Sequence, residues 1–183
     1  MKKYIVLMCL FAFCVSNSQN SEVNIEKSFV TFQLGTVGVW INNEIRLSDE
    51  IALRTEIGLY TEIVKGIGFF MAPEITLEPR WYYNIKKRDS KKLNIKNNSA
   101  NFFTLKTNFR SSIFEISNYD NKRAENSFAI IPKWGIRRNL GTNFNYELGL
   151  GIGYLSFINQ KYFTVSDSDG IIIDLHVRIG YNF

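Results

Sequence analysis

The last thirteen residues constrain the fold most. From Ile171 to Phe183 the odd positions read Ile171, Ile173, Leu175, Val177, Ile179, Tyr181 and Phe183, all apolar or aromatic. The even positions read Ile172, Asp174, His176, Arg178, Gly180 and Asn182, and all but the first are polar, charged or Gly. Such alternation puts one apolar and one polar face on a strand. Soluble strands usually run about 5–6 residues. A strand that crosses a bilayer needs about 9–11, and this segment has that length.

The same design recurs upstream. Phe144, Tyr146, Leu148, Leu150, Ile152 and Tyr154 oppose Asn145, Glu147, Gly149, Gly151 and Gly153, with aromatics at the ends and aliphatics between. Barrels in membranes carry aromatic girdles around an apolar band in this way. The glycine column predicts a narrow interior with room for long charged neighbours. Shorter alternating runs cover residues 51–59, 74–83, 102–109 and 128–137. Before them, Val30, Phe32 and Leu34 are apolar on even positions, whereas Val37, Val39, Ile41, Ile45 and Leu47 are apolar on odd ones. A tight hairpin at Gly35-Thr36 accounts for the parity change and gives eight strands, because Gly permits the positive φ of such turns. One long strand with a bulge gives seven.

The connections come in two kinds. Ser48-Asp49-Glu50 and residues 139–143 read as short turns; Val64 to Ala72, Phe114 to Asn126 and Ile158 to Asp169 read as longer loops. With the C-terminus in the periplasm, the short turns fall on the periplasmic side. Ile85 to Ala100 departs from that rule. It is long, and carries Lys86, Lys87, Arg88, Lys91, Lys92 and Lys96 against Asp89 alone. It reads as a solvated basic loop, or else as a contact for an anionic periplasmic partner. Pro79 and Pro132 each remove a ladder hydrogen bond in a closed barrel, which predicts a bulge or gap beside each.

The first residues suggest export. Met1-Lys2-Lys3, an apolar run from Tyr4 to Val15 and small residues at Ser16 and Ser18 form a signal-peptide pattern, with cleavage expected after Ser18 and a barrel domain over residues 19–183. Both cysteines, Cys9 and Cys14, lie in this leader, so the mature chain would have no thiol for a disulfide or a metal. Phe13 is bulky where a lipidated Cys14 would be preceded by a small residue. The formal charge of +5 becomes about +3 without Lys2 and Lys3. That is too mild to argue for nucleic acid.

The leader, the alternating strands of about ten residues and the terminal Tyr181-Asn182-Phe183 resemble small outer-membrane β-barrels of Gram-negative bacteria. Segments such as Trp40-Ile41-Asn42-Asn43-Glu44, Leu77-Glu78-Pro79-Arg80-Trp81 and Trp134-Gly135-Ile136-Arg137-Arg138-Asn139 are similar to Bacteroidota outer-membrane barrels. The resemblance implies an eight-stranded antiparallel up-and-down transmembrane barrel. It also implies contact with outer-membrane lipid, and a C-terminal strand read by the barrel-assembly machinery. It is nearly silent about activity.

With the apolar faces outward, the inward faces carry Glu44, Arg46, Arg54, Glu56, Glu74, Glu78, Arg80, Lys106, Lys133, Arg137, Glu147, Asp174 and Arg178, seven cations against six carboxylates, with His176 beside them. Unpaired charges in a confined interior are costly, and eight strands leave a lumen that side chains can fill. The expectation is a salt-bridged plug. The same groups could form a proton path, and Glu74 with Glu78 could do acid–base work.

Rival chemistries fit poorly. Outer-membrane deacylases, a family that also resembles this chain, place a Ser two residues after the catalytic His, where this chain has Arg178. Gly149-x-Gly151-x-Gly153 has strand spacing with no helix after it, unlike a dinucleotide loop. One histidine without mature cysteines argues against zinc. No cofactor is expected. Three functions remain open: a non-enzymatic barrel for envelope stability or surface display, a barrel enzyme acting on lipids, and a secreted lipocalin-like barrel. The last would put Ile173, Leu175 and Val177 inside. Loop residues Tyr119, Asp120, Arg123, Lys161, Tyr162 and Phe163 are candidates for contacts by position.

Overall fold

The computed structural model describes residues 23–64, 68–118, 125–158 and 169–183. The expected leader and the candidate loop residues Tyr119, Asp120, Arg123, Lys161, Tyr162 and Phe163 lie outside them. Nine strands occur in the described residues: β1 (Ser28–Gly35), β2 (Gly38–Arg46), β3 (Ile51–Val64), β4 (Gly68–Trp81), β5 (Asn101–Arg110), β6 (Ile116–Ser117), β7 (Asn126–Leu140), β8 (Phe144–Ile158) and β9 (Gly170–Asn182). Every strand but β6 pairs antiparallel with its chain neighbours, and β1 pairs with β9. The result is a closed eight-stranded antiparallel β-barrel. The short β6 lies outside it, paired to β4. Closure removes every sheet edge from the wall.

The parity change at Gly35 is a hairpin. Gly35 faces Gly38 across Thr36-Val37, and Gly38 takes a φ of 146° that L side chains disfavour. The joints around the barrel are unequal. β3 and β4 share fourteen register pairs, whereas β1 and β9 share five, from Thr31↔Asn182 to Gly35↔Arg178.

Two connections differ from expectation. Residues 64–72 are not a long loop: β3 continues to Val64 and β4 starts at Gly68. Alternation is hard to see there because Phe69 to Ala72 is apolar on both faces. The stretch from Ile85 to Ala100 is more than a solvated loop. It forms helix α1 (Ile85–Ser90) and a 3-10 turn (Lys96–Asn98). Lys87, Lys91, Lys92 and Lys96 are exposed, but Ile85 and residues 97–100 are buried. Ile85 and Ala100 join Ile25, Ala52, Tyr82 and Phe102 in one apolar cluster, which caps the barrel end that also holds the β2–β3 and β7–β8 turns, whereas the two-residue β1–β2 hairpin lies at the other end. We call this the capped end and the opposite one the far end.

Both prolines interrupt a ladder without shifting its register. Between β4 and β5 the pairs run Leu77↔Thr107 and then Arg80↔Thr104, skipping Pro79. Between β7 and β8 they run Ile130↔Tyr154 and then Lys133↔Gly151, skipping Pro132. The first gap is bridged by side chains: Thr104 Oγ1 donates to Pro79 O at 2.8 Å and Thr107 Oγ1 to Leu77 O at 3.0 Å. Proline has no N–H to give; beside the gap these β5 hydroxyls serve the carbonyls of β4.

The faces sort by polarity. Ile173 and Leu175 are 69% and 65% exposed on the outer wall. Asp174, His176 and Arg178 point inward, opposite to an apolar-lined calyx. Outward aromatics gather at the capped end, where Trp81, Tyr83 and Phe103 pack within 6.4 Å of one another and Phe144, Tyr181 and Phe183 form edge contacts. Trp134 Nε1 donates to Tyr83 Oη at 2.9 Å.

Candidate functional site: two charge clusters in the lumen

The inward residues form two groups. The one nearer the cap centres on Glu147, from β8. Its carboxylate accepts from Arg54 at 3.0 Å, Arg80 at 3.1 Å and Arg137 at 3.2 Å. Glu44 takes Arg137 at 2.5 Å and Arg80 at 3.4 Å. Glu78 holds Arg80 at 2.7 Å. Glu56 pairs with Arg54, and with Arg178 at 2.6 Å. Four guanidiniums thus face four carboxylates, each side chain at most 4% exposed. Fork-shaped guanidinium donors suit such shared pairing. Arg46 stands apart at the rim, donating to Ile25 O at 3.1 Å.

Aromatic rings cover the guanidiniums. Arg80 lies 4.2 Å above the Phe102 ring and Arg178 3.6 Å above Trp40. Trp40 fits because glycines surround it: a Cβ on Gly58 would meet Trp40 Cδ1 at 2.2 Å, and one on Gly35 would meet Cζ3 at 2.9 Å. The expected glycine column does the same for lysine and isoleucine. A Cβ on Gly149 would meet Lys133 Cε at 2.9 Å, and one on Gly151 would meet Ile131 Cγ2 at 2.7 Å.

The cap binds directly to this cluster. Tyr82 Oη donates to Glu44 Oε2 at 2.7 Å, and Asn98 Nδ2 to the same oxygen at 3.0 Å. Asn98 Oδ1 accepts from Glu26 N at 2.8 Å. Burial and the Glu44 carboxylate push the Tyr82 phenol well above its ordinary value, so it stays a donor.

The second group lies toward the far end. Lys106 and Lys133 converge on one oxygen, Asp174 Oδ2, at 3.0 and 3.1 Å. Arg110 reaches Glu74 at 3.5 Å, and Asn108 Nδ2 donates to Glu74 at 2.9 Å. Three cations here meet two carboxylates. His176 joins the groups: Lys133 Nζ lies 2.8 Å from Nδ1, and Nε2 lies 3.1 Å from Glu147. With the ammonium donating to Nδ1, Nε2 carries the ring proton and donates to Glu147. Both ring nitrogens are then engaged. Above this group opens a cavity of about 230 Å3, lined by Trp40, Tyr60, Glu74, Lys106, Asn108, Arg110, Ala129, Ile131, Leu155, Ile172, Asp174, His176 and Arg178 among others.

Thirteen of the fourteen inward charged residues read from the sequence meet in this network. Glu74 and Glu78 fall in different groups, so they form no carboxylate pair. The parity of their runs turns Asn108 and Tyr82 inward, as found, although neither is charged and neither counts among the fourteen; Arg110 and Asn98 were not foreseen. Arg110 lies one residue beyond the expected end of its strand, where continued parity would have found it. No group of three or more His, Cys, Asp or Glu side chains suited to a metal occurs among the described residues. Comparison of the chain with family models, curated proteins and solved structures gives no match.

Proposed function

We propose that the chain is an outer-membrane barrel, exported through a cleaved leader, whose role is non-enzymatic: envelope stability or surface display. The carrying observation is the inverted polarity of the closed barrel. Aliphatic side chains such as Ile41, Ile57, Ile75, Ile152 and Ile173 are 56–69% exposed around the wall, while charges fill the interior. An apolar surface of this extent marks contact with another apolar phase. Lipid satisfies it, and closure leaves no wall edge for lipid to leave unpaired. The capped end with its basic helix then faces the periplasm, and the barrel-assembly machinery is the partner during biogenesis.

The non-enzymatic reading rests on how the acid–base groups around Glu147 are engaged. His176 has no free ring nitrogen to activate a nucleophile, and Glu147, Glu44 and Glu56 are each shared between cations. The test is fractionation with gel mobility before and after boiling. The expected result is an outer-membrane band, shortened by loss of the leader, that runs faster unboiled. A soluble product without a mobility shift would overturn the membrane assignment.

A further inference from the structure

The two charge clusters differ in a way that points to a ligand. Near the cap, Arg54, Arg80, Arg137 and Arg178 face Glu44, Glu56, Glu78 and Glu147. Toward the far end, Lys106, Lys133 and Arg110 face Asp174 and Glu74 only, and there the lumen opens into the cavity. The inward column of β5 supplies Lys106, Asn108 and Arg110 to its wall. Lys106 Nζ has three N–H donors, and one goes to Asp174. Asn108 is 7% exposed and its Oδ1 has no partner; Arg110 Nε has none either. One wall therefore carries a cation on each side of a buried acceptor without a partner, with Arg110 also lying 3.5 Å over the Tyr60 ring. Arg54 Nε, Arg137 Nε, Glu56 Oε1 and Glu78 Oε1 near the cap lack partners too, so it is the excess of cations beside a cavity that sets this end apart. An anion with its own hydroxyl donor satisfies all three, and its charge brings the far-end group to parity. Ala129, Ile131 and Leu155 give the cavity an apolar side for a carbon skeleton. Its 230 Å3 is below the roughly 300–1,000 Å3 of drug-sized sites, which fits one small molecule.

We propose that this cavity binds a small hydroxylated carboxylate of the sugar-acid class, its carboxylate on Lys106 and Arg110 and a hydroxyl donating to Asn108 Oδ1.

The experiment is calorimetric titration of the purified, folded full chain, in detergent micelles or in buffer according to where it fractionates. The probe is sodium D-glucuronate. D-glucose, which lacks the carboxylate, and hexanoate, which lacks the hydroxyls, are the controls. Glucuronate is expected to bind at least about tenfold more tightly than either control, the worth of one charge-assisted hydrogen bond. Lys106→Gln should lose about the same factor while keeping the unboiled gel mobility. If that variant does not fold, Arg110→Gln takes its place. No binding of glucuronate, equal binding of glucose or hexanoate, or unchanged affinity in the folded variant would overturn the proposal.

Discussion

The two ends of the lumen are built from the same residue types and finished differently. At the capped end every guanidinium has its carboxylates, two cap side chains complete Glu44, and apolar residues close the opening. At the far end two ammoniums share one carboxylate oxygen beside an unfilled volume. Matched buried charges hold a wall together, and removing one strands the others. The unmatched group has slack, so it tolerates change and can meet a further partner. One barrel thus separates holding from receiving along its own axis.

The sharpest way to break this contrast is Glu147→Gln. It removes the carboxylate shared by three arginines and His176, and should cost about 3–5 kcal/mol. Urea titration of the fast-running unboiled band measures it, and a midpoint unchanged from the parent would remove the capped-end cluster as the source of stability. Tyr82→Phe tests the cap alone. It deletes one hydrogen bond to a carboxylate, and should cost about 1.5–3 kcal/mol by the same titration. Lys106→Gln should shift the midpoint least, by less than Tyr82→Phe, because Lys133 still holds Asp174 and this group has more cations than carboxylates. A loss as large as that of Glu147→Gln would show the far-end group to be as tightly matched as the other.

Period-2 parity made the barrel and its inward charges legible. Once Ile173 and Leu175 face out, Asp174, His176 and Arg178 face in, and the count of eight follows from the slip at Gly35. Parity does not say which inward residues share a level, because the stagger between strands decides that. Glu74 and Glu78 sit on one strand face yet serve different clusters, and Glu147 gathers arginines from β3, β4 and β7. The cap was illegible for another reason. Its apolar residues, Ile85 and Ala100, are separated by a lysine-rich run without period, and only closure of the barrel gives them something to cover. The prolines were legible as a fault in the ladder. The remedy, hydroxyls of Thr104 and Thr107 from the neighbouring strand, required the register.

The five-pair joint between β1 and β9 has a consequence for how the molecule forms. It unites segments nearly at opposite ends of the chain, so its loop-closure entropy is the largest in the wall, and it has the fewest backbone bonds to offset that. Side chains reinforce it: Thr31 Oγ1 donates to Asn182 Oδ1 at 2.9 Å, Arg178 Nη1 to Gln33 Oε1 at 3.3 Å, and Arg137 reaches both Thr31 and Asn182. These contacts require the interior to be in register already. The seam therefore acts as a proofreading latch. A sheet with misplaced internal charges should then fail to zip shut, and hydrogen exchange of the finished barrel is expected to be fastest along that line.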